Sequence, residues 1–585
     1  MIDLKKTPVK IISIILCVSI VFCGFSSVGA SAADAGKTLT NVGVGILGGI
    51  IKTILGGLAA IVPDGANMKK LSEITSDNFY PGSDEFLSED EAGDSWSLGY
   101  SKASLVPDDI LEKGTEYYLG GFLTFDNGMN NKIEEVIDDM QIRAIAVDDG
   151  TGRGISVFAN VDCIGFCNSD ILTVRKYVKE LLPDTDFCTI NISSTHCHSC
   201  IDTQGLWTNT FKKVFTNLAK SYIPFANRER GVNTKWLDWA CHVMAQAIKE
   251  SVDDMKSGSM TYAVKELNKE YFNNKNRKSS TSLCADMSRF VFTPDSSEAK
   301  PTMLVNIAAH PDVVGLATSD PQDNGRQLSG DYVYYMGKTI EEGGYNFMFI
   351  NGAIAGIYYG RGLSGDGVDL ERRYQQAERY GIEMGKIALN LTSTYDEISA
   401  KEDWETINKE KENNEYYTLW FEDWEPVREK SVSPLLNIRI KQVPVLVTNP
   451  LMKLVGKLEL TSYTVYKEGL FNYYMVTEVG YAEIGDIKAA LVPGELVQDI
   501  MYGGGSLTAD GSFSGKDYGY PSIREIFGDD TICFGLFNDA IGYIVPDNDY
   551  SLGIVDDHYQ ELISLGDKTA STVTKALMEI HDEVK

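Results

Sequence analysis

Positive charge is scarce in this 585-residue sequence. It contains 53 lysines and arginines against 83 aspartates and glutamates, which gives a formal net charge of −30 and an isoelectric point near 4.6. Nucleic-acid binding depends largely on neutralising phosphates with lysine and arginine, so this balance disfavours it. General electrostatic attraction to an anionic lipid surface is disfavoured for the same reason. We therefore expect no nucleic-acid partner.

Histidine is also rare, with six residues in the whole chain. Internal repeats are absent, and low complexity is confined to the glycine-rich stretch 42–62. The hydrophobic content of 43% and aromatic content of 10% are those of an ordinary folded protein. A chain of this length buries a large core and normally forms more than one domain.

The N-terminus has the pattern of a secretory signal. Three lysines within the first ten residues precede the uncharged apolar run Ile11–Phe25, and the small residues VGASAA follow it. We expect residues 1–32 to be a signal peptide cleaved at or near Ala32, and the protein to be secreted or associated with the cell surface. That compartment permits disulfides, but the sequence does not indicate how the remaining eight cysteines pair.

A second apolar stretch, 42–62, is interrupted by Lys52. It is long enough to span a bilayer, although a lysine near the middle of a span is costly. Three interpretations compete: a helix lying on a membrane surface, which we favour slightly, a weak second span, or a helix packed on the catalytic domain. Polar and acidic residues follow, so we interpret 33–95 as an apolar glycine-rich segment and a linker.

From Trp96 onward the pattern is that of an α/β protein. Short apolar or alternating runs typical of strands are interspersed with stretches of helical spacing. We expect mixed β-sheets flanked by helices in one domain over 96–585. The strands are predicted at 142–147, 154–161, 187–193, 303–309, 346–350, 487–491 and 531–537, and the helices at 170–182, 236–255, 370–389 and 569–584.

The stretch NISSTHCHSC, residues 191–200, contains two of the six histidines. Residues at i and i+2 project to the same side of an extended backbone, so His196 and His198 can face one cavity. This geometry suits a site in which one imidazole binds a metal ion and the other handles protons nearby. The alternative is a polar loop with two solvated histidines.

Four candidate ligands follow four separate apolar strands: His196, His310, Glu495 and Tyr543. The carboxyl ends of strands are where the sheets of α/β proteins place their sites. Two imidazoles and a carboxylate match the ligand set of hydrolytic zinc with an open position for water. Taken singly, each also has a structural explanation, as a strand cap, a turn carboxylate or a core aromatic.

From about residue 96 onward the chain resembles the neutral/alkaline non-lysosomal ceramidase family, as a divergent member of the secreted bacterial type. The strongest matches are SSTHCHS (193–199), AAHP (308–311), VPGE (492–495) and GLFNDAIGYIV (535–545). Weaker matches are LGYSKASLVPDD (98–109), FANVDCIG (158–165), NKNRK (274–278) and HYQELISLG (558–566).

The resemblance implies roles for individual residues. A catalytic zinc ion, Zn2+, would be held by four ligands: His196, His310, Glu495 and Tyr543. His198 would be the acid/base partner beside it, and Arg277 would contact the polar head of the substrate. Tyr559 would support the reacting carbonyl, with Tyr550 as the alternative for that role.

Three departures from the family pattern stand out. The family's GDxSPN turn is NGAIAG here, residues 351–356, without its Asp, Ser and Pro. The region between Arg277 and His310 is shorter, which indicates altered substrate contacts. The chain also ends soon after SLG (564–566), so we expect no C-terminal β-sandwich domain.

Cys197 and Cys200 flank the second histidine of the pair. They could be packed thiols, a disulfide or spare metal ligands. We favour packed thiols, because a structural zinc site would need a second ligand pair at matching spacing.

The resemblance implies a zinc-dependent amidohydrolase that cleaves the N-acyl amide bond of ceramide or a related lipid. One alternative keeps the zinc and changes the substrate to a different acyl amide. A non-enzymatic alternative is a lipid-binding protein on the same scaffold, which the altered 351–356 turn favours and the survival of all four ligand types disfavours. The partner expected is a lipid or acyl-amide substrate, with membrane-surface contact through 42–62; the sequence does not indicate the oligomeric state.

Overall fold

The structure is a computed structural model that describes residues 53–121, 131–223, 226–276, 280–315, 324–360, 372–414, 417–552 and 559–585. The predicted signal peptide at 1–32, the following residues 33–52 and the candidate head-group residue Arg277 lie outside these ranges.

The strands of the described ranges are short or of medium length. In chain order they are β1 (Lys69–Lys70), β2 (Trp96–Ser104), β3 (Glu135–Val136), β4 (Gln141–Asp148), β5 (Ile155–Val161), β6 (Phe187–Ser194), β7 (Lys256–Glu266), β8 (Phe272–Asn274), β9 (Asp286–Pro294), β10 (Thr302–Ile307), β11 (Gln327–Leu328), β12 (Asn346–Asn351), β13 (Ile357–Tyr359), β14 (Lys430–Val432), β15 (Leu436–Leu446), β16 (Val465–Glu468), β17 (Asn472–Ile484), β18 (Ile487–Leu491), β19 (Glu495–Leu496), β20 (Ile532–Phe534) and β21 (Tyr543–Ile544).

The helices lie between and around these strands. They are α1 (53–61), α2 (Asn168–Leu181), α3 (Thr210–Lys220), α4 (Thr234–Asp253), α5 (Asp331–Glu342), α6 (Arg373–Leu389), α7 (Tyr395–Ser399), α8 (Trp404–Asn413), α9 (Pro450–Lys457), α10 (Gln498–Tyr502), α11 (Ile523–Phe527), α12 (Tyr559–Ile563) and α13 (Thr569–Val584).

Two mixed sheets organise the chain. The larger follows the order β12-β10-β9-β7-β2-β4-β5-β6, with β14 also paired to β7. Its outer pairs, β10 with β12 and β5 with β6, are parallel, whereas the pairs between them are antiparallel. The smaller follows the order β1-β16-β17-β18-β20, with β15 also paired to β17. The prediction of mixed sheets flanked by helices is confirmed.

The two sheets pack face to face because their strands carry apolar side chains on both faces. One face contacts the other sheet, and the opposite face contacts helices. On β4, Ile145 and Val147 join a core shared with residues of the smaller sheet, such as Ile438 and Leu491. Their neighbours Ala144 and Ala146 face the opposite way, into a core shared with the helices α2 and α4. This alternation follows from the two-residue period of a strand.

Helices cover the outer face of each sheet. The helices α5 and α6 close a third core over β9, β10 and β12. The C-terminal helix α13 closes a fourth core over the smaller sheet. The result is four layers, helix–sheet–sheet–helix.

Residues 53–95 pack against this body. Leu55 and Leu58 of α1 are buried against apolar side chains of α3 and α9, including Leu218 and Leu454. The strand β1 adds to the edge of the smaller sheet beside β16, although the sequence of 65–95 has the composition of a linker. Packing on the domain is therefore the arrangement of the described end of 42–62. Among the described helices, none combines the length and hydropathy needed to cross a bilayer.

Candidate metal centre

The loop after β6 presents the first histidine. The backbone at His196 has φ of 64°, a left-handed conformation that non-glycine residues seldom adopt. Hydrogen bonds hold it there: the Thr195 amide donates to the Val161 carbonyl at 2.9 Å, and the Asn351 side chain donates to the Thr195 carbonyl. The imidazole Nδ1 of His196 lies 2.7 Å from the Ile164 carbonyl.

His310, the second candidate histidine ligand, follows β10. Its backbone amide donates to the Ile357 carbonyl at 3.0 Å, and its Nδ1 lies 2.8 Å from the same oxygen. The side chain of His310 is fully buried. The strand β13, which supplies that carbonyl, therefore fixes both the backbone and the ring of His310.

Glu495 and Tyr543 lie opposite each other in a short parallel pair. The strands β19 and β21 contain two residues each, and the Cα partners are Glu495 with Tyr543 and Leu496 with Ile544. The Glu495 amide also donates to the Gly542 carbonyl at 3.0 Å. The structure thus brings together the four residues that the sequence analysis selected as ligands.

The nitrogens of the two imidazoles converge on one carboxylate oxygen. Oε2 of Glu495 lies 3.3 Å from Nε2 of His196 and 3.1 Å from Nε2 of His310. In each ring a carbonyl faces Nδ1, and because a carbonyl can only accept, Nδ1 carries the proton. In the neutral rings, Nε2 therefore offers a lone pair toward a carboxylate oxygen, so three acceptors face one another without a hydrogen between them.

This donor set fits a cation. Ligands bound tetrahedrally at about 2.1 Å from zinc lie about 3.4 Å from one another, close to the two separations at the site. Metal-binding histidines commonly donate the other ring nitrogen to a carbonyl, which is the arrangement of His196 and His310. The residues present therefore fit a divalent metal ion with nitrogen and oxygen ligands.

His198 lies beside this cluster. Its ring centre is 4.7 Å from that of His196 and 5.7 Å from that of His310. One ligand atom from each of the three histidines lies within 4.8 Å of the others, so a three-histidine metal site is a second possible donor set. The closer spacing of the Glu495 carboxylate to His196 and His310 favours the set that includes Glu495.

The electrostatics of the cluster follow from burial and proximity. Burial lowers the pKa of His198 well below its ordinary value, and the neighbouring His196 and His310 lower it further. Burial raises the pKa of Glu495, but when the rings of His196 and His310 are protonated, their charge and the hydrogen bonds from their Nε2 atoms outweigh this and hold the pKa of Glu495 well below its usual range. Burial raises the pKa of Tyr543, and the Glu495 carboxylate within hydrogen-bonding reach raises it further. The cluster thus combines a carboxylate with a neutral His198.

Of the two tyrosines considered for the reacting carbonyl, Tyr559 is the one at the site. Its ring packs edge-on against Tyr543, with the centres 6.1 Å apart. The hydroxyl of Tyr550 instead donates to the Glu561 carbonyl at 3.2 Å. Arg277 falls outside the described residues, and its neighbour Asn276 donates to the Ala355 carbonyl at 2.8 Å.

Sequence reasoning missed Tyr358. Its ring stacks on His310 with the centres 4.6 Å apart and an angle of 18° between the planes. Its hydroxyl is within hydrogen-bonding reach of Tyr543. The Nζ of Lys275 lies 4.1 Å from the centre of the Tyr358 ring on the rim of the site. The one available signal was its place two residues beyond the altered 351–356 turn.

That turn forms one wall of the site. Ala353 and Ala355 are buried, and their carbonyls accept hydrogen bonds from Gln498 and Asn276. No side chain of the NGAIAG stretch is ionisable, so the turn contributes shape and backbone acceptors but no charge.

The cysteines are separate from the donor set. Cys197 and Cys200 are buried thiols, and the Sγ atoms of both donate to the Ser329 carbonyl, at 3.1 and 3.4 Å. Every cysteine within the described residues is free, so the expectation of packed thiols is confirmed. Burial raises the pKa of both thiols, which makes them poor metal ligands.

The fold is shared with solved ceramidases. The neutral ceramidase from Pseudomonas aeruginosa superposes with a TM-score of 0.54 at 12% sequence identity, over 84% of this chain and 75% of that one. A ceramidase complexed with C2 gives a TM-score of 0.53 at 12% identity, over 83% and 75% of the two chains. In sequence, neither a protein-family model nor a curated protein matches this chain.

Proposed function

We propose that the protein is a zinc-dependent amidohydrolase that cleaves the N-acyl amide bond of ceramide or a related lipid. The observation that carries the proposal is the convergence of two imidazole Nε2 atoms on Oε2 of Glu495, at 3.1 and 3.3 Å. The fold shared with neutral ceramidases supports the choice of an N-acyl amide. We assign His196, His310 and Glu495 as ligands, because their spacing suits tetrahedral zinc better than a spacing of up to 4.8 Å among the three histidines does. We assign Tyr543 as the fourth ligand, because its hydroxyl lies within hydrogen-bonding reach of Glu495.

Zinc bound there would polarise the amide carbonyl and lower the pKa of a water molecule. His198, which burial and its neighbours keep neutral, would accept a proton from the water that adds to the carbonyl and pass it to the nitrogen of the departing amine as the C–N bond breaks. The hydroxyl of Tyr559, whose ring packs against Tyr543, would donate a hydrogen bond to the carbonyl oxygen as negative charge develops there. Arg277 would orient the polar head of the substrate, a positioning role.

The Nδ1–carbonyl bonds support this assignment. The Ile164 and Ile357 carbonyls hold both ligand rings in the tautomer that leaves Nε2 open. Both rings are therefore oriented before any ion arrives, which reduces the reorganisation needed on binding. A non-catalytic lipid-binding protein would not need this preparation.

The test is metal content and ceramide hydrolysis measured on one preparation of residues 53–585. About one zinc per chain, with fatty acid released, is the expected result. His196→Asn should lose zinc and turnover together, whereas His242→Asn on the exposed face of α4 should lose neither. Turnover that persists in His196→Asn after chelation would refute the assignment, and zinc without turnover on ceramide would direct the search to other acyl amides.

We also propose that the protein is exported and acts outside the cell or at its surface. The apolar run Ile11–Phe25 behind basic residues supports this. Fractionation of the producing cells and N-terminal sequencing of the mature protein test it. Intact residues 1–32 on a cytoplasmic protein would refute it.

A further inference from the structure

One cation at the rim of the site has no role in the proposed chemistry. The ammonium of Lys275 is exposed and lies over the Tyr358 ring, 4.1 Å from its centre. Tyr358 stacks on the ligand His310 with ring centres 4.6 Å apart. The ammonium therefore lies no farther from the His310 ring centre than the sum of these two distances, which is within reach of a bound substrate.

The backbone of Lys275 is fixed rather than free to swing. The strand β8, which precedes it, pairs with β13, which carries Tyr358. The Lys275 amide donates to the Gly356 carbonyl at 2.8 Å, and the next residue, Asn276, is held by the Ala355 carbonyl and by Gln560. Gly356 has φ of 68°, and a Cβ there would strike the Asn276 side chain. The lysine is thus anchored to the same strand that orients His310.

Lys275 takes part in no ion pair between described residues. Within the described ranges, no carboxylate lies within 4.0 Å of its ammonium. Asp312 lies near enough for its carboxyl to interact electrostatically with Lys275, but it is buried and does not share the solvent-exposed rim. The turn 351–356 supplies no ionisable side chain, so this wall of the site offers an anion nothing that repels it. In a protein of net charge −30, the exposed ammonium of Lys275 gives the rim a positive group that can attract an anion.

We propose that Lys275 is a specificity-determining residue that selects N-acyl substrates carrying a carboxylate near the scissile amide, such as N-acyl amino acids. This inference rests on the proposed function, because it takes the amide to be cleaved at the metal centre. A carboxylate two bonds from the amide nitrogen would lie between the cleavage point and the ammonium. There it would form a charge-assisted hydrogen bond that a neutral head group cannot match.

The experiment compares two substrates with the same acyl chain, N-lauroylglycine and N-lauroylethanolamine, which differ in a carboxylate against a hydroxyl. The zinc-loaded wild type should hydrolyse the glycine conjugate with the higher kcat/KM. Lys275→Met should lower that value about tenfold, mainly through KM, and leave the ethanolamine conjugate within about twofold. Lys275→Arg should retain the preference, and Lys269→Met, a nearby exposed lysine paired with Glu266, should change nothing.

Binding of N-lauroylglycine, measured by calorimetry at low and high salt, separates this inference from the proposed function. If neither amide is cleaved but Lys275→Met weakens binding about tenfold, the specificity role stands and the hydrolase proposal fails. If both conjugates are cleaved and Lys275→Met leaves the kcat/KM of each within about twofold of the wild-type value, the hydrolase stands and the specificity role is refuted. An equal loss on both substrates in Lys275→Met also refutes it, since that would make the lysine a structural support for Tyr358.

Discussion

Glu495→Gln should abolish the response to zinc without destabilising the metal-free protein. When both rings are neutral in the metal-free state, the Nε2 lone pairs of His196 and His310 face the Glu495 carboxylate, and each buried acceptor left without a donor costs about 1–3 kcal/mol. An amide of the same shape can donate to those nitrogens and lowers that cost. We therefore expect the metal-free variant to unfold at the same temperature as the metal-free wild type or at a higher one.

Zinc should then distinguish the two proteins. At free zinc 100 times its dissociation constant, binding stabilises the wild type by about 2.7 kcal/mol. A chain of 585 residues has an unfolding entropy of about 1.2 kcal/mol per kelvin, so the melting temperature rises by about 2 °C. The variant should show no rise. The assay is a thermal melt of chelator-stripped protein with and without zinc, alongside metal analysis.

The matched control is the same substitution at another buried glutamate. Glu478 is fully buried in an ion pair with Arg175, at 2.7 Å, far from the two histidines in the chain. Glu478→Gln leaves Arg175 without its partner and should cost about 3–5 kcal/mol, yet keep the zinc-dependent rise. A Glu495→Gln protein that still binds one zinc, or melts below the metal-free wild type by as much as Glu478→Gln does, would refute the donor set.

Three further predictions follow from the structure. Tyr543→Phe should raise the dissociation constant for zinc about 10- to 100-fold without abolishing binding, as measured by competition with a chelator; unchanged affinity would remove Tyr543 from the site. Asp170→Asn should stabilise the protein at pH 8 by up to about 4 kcal/mol. Burial raises the pKa of the Asp170 carboxyl to about 7, and one of its oxygens has no hydrogen-bond partner, so the ionised form that predominates at pH 8 destabilises the folded state. The folded state holds that proton more tightly than the unfolded chain, so wild-type stability falls as the pH rises from 4 to 7, and denaturation curves should show the advantage of the variant vanish near pH 4. Leu58→Ala should cost about 2–4 kcal/mol because Leu58 is buried against α3 and α9, whereas Ile61→Ala, at an exposed position, should cost less than about 0.5 kcal/mol in the same denaturation assay.

The long periodic elements could be predicted from sequence. The strand Ile487–Leu491 and the helix Thr569–Val584 have the bounds that the apolar pattern predicts. The strand predicted at 531–537 ends earlier, at Phe534, because Leu536 and Asn538 adopt positive φ values that turn the chain. A local pattern cannot show such a turn, since the conformation is imposed by the surrounding hydrogen bonds.

The ligands of the site could be predicted, but their arrangement could not. Each of them follows an apolar strand, which is a local signal. The pairing of Glu495 with Tyr543 spans a ladder of two residues, too short to have any periodicity. Tyr358 reaches His310 through a pairing between distant segments, so nothing in its own neighbourhood marks it as a site residue.

The left-handed backbone at His196 has a consequence for evolution in the laboratory. A side chain with a Cβ at φ of 64° costs about 1–2 kcal/mol, which glycine avoids and asparagine partly avoids. A library screened for thermal tolerance alone should therefore enrich glycine and asparagine at this position and discard the histidine. Selection for thermal stability would favour glycine or asparagine at position 196, whereas selection for turnover would retain the histidine.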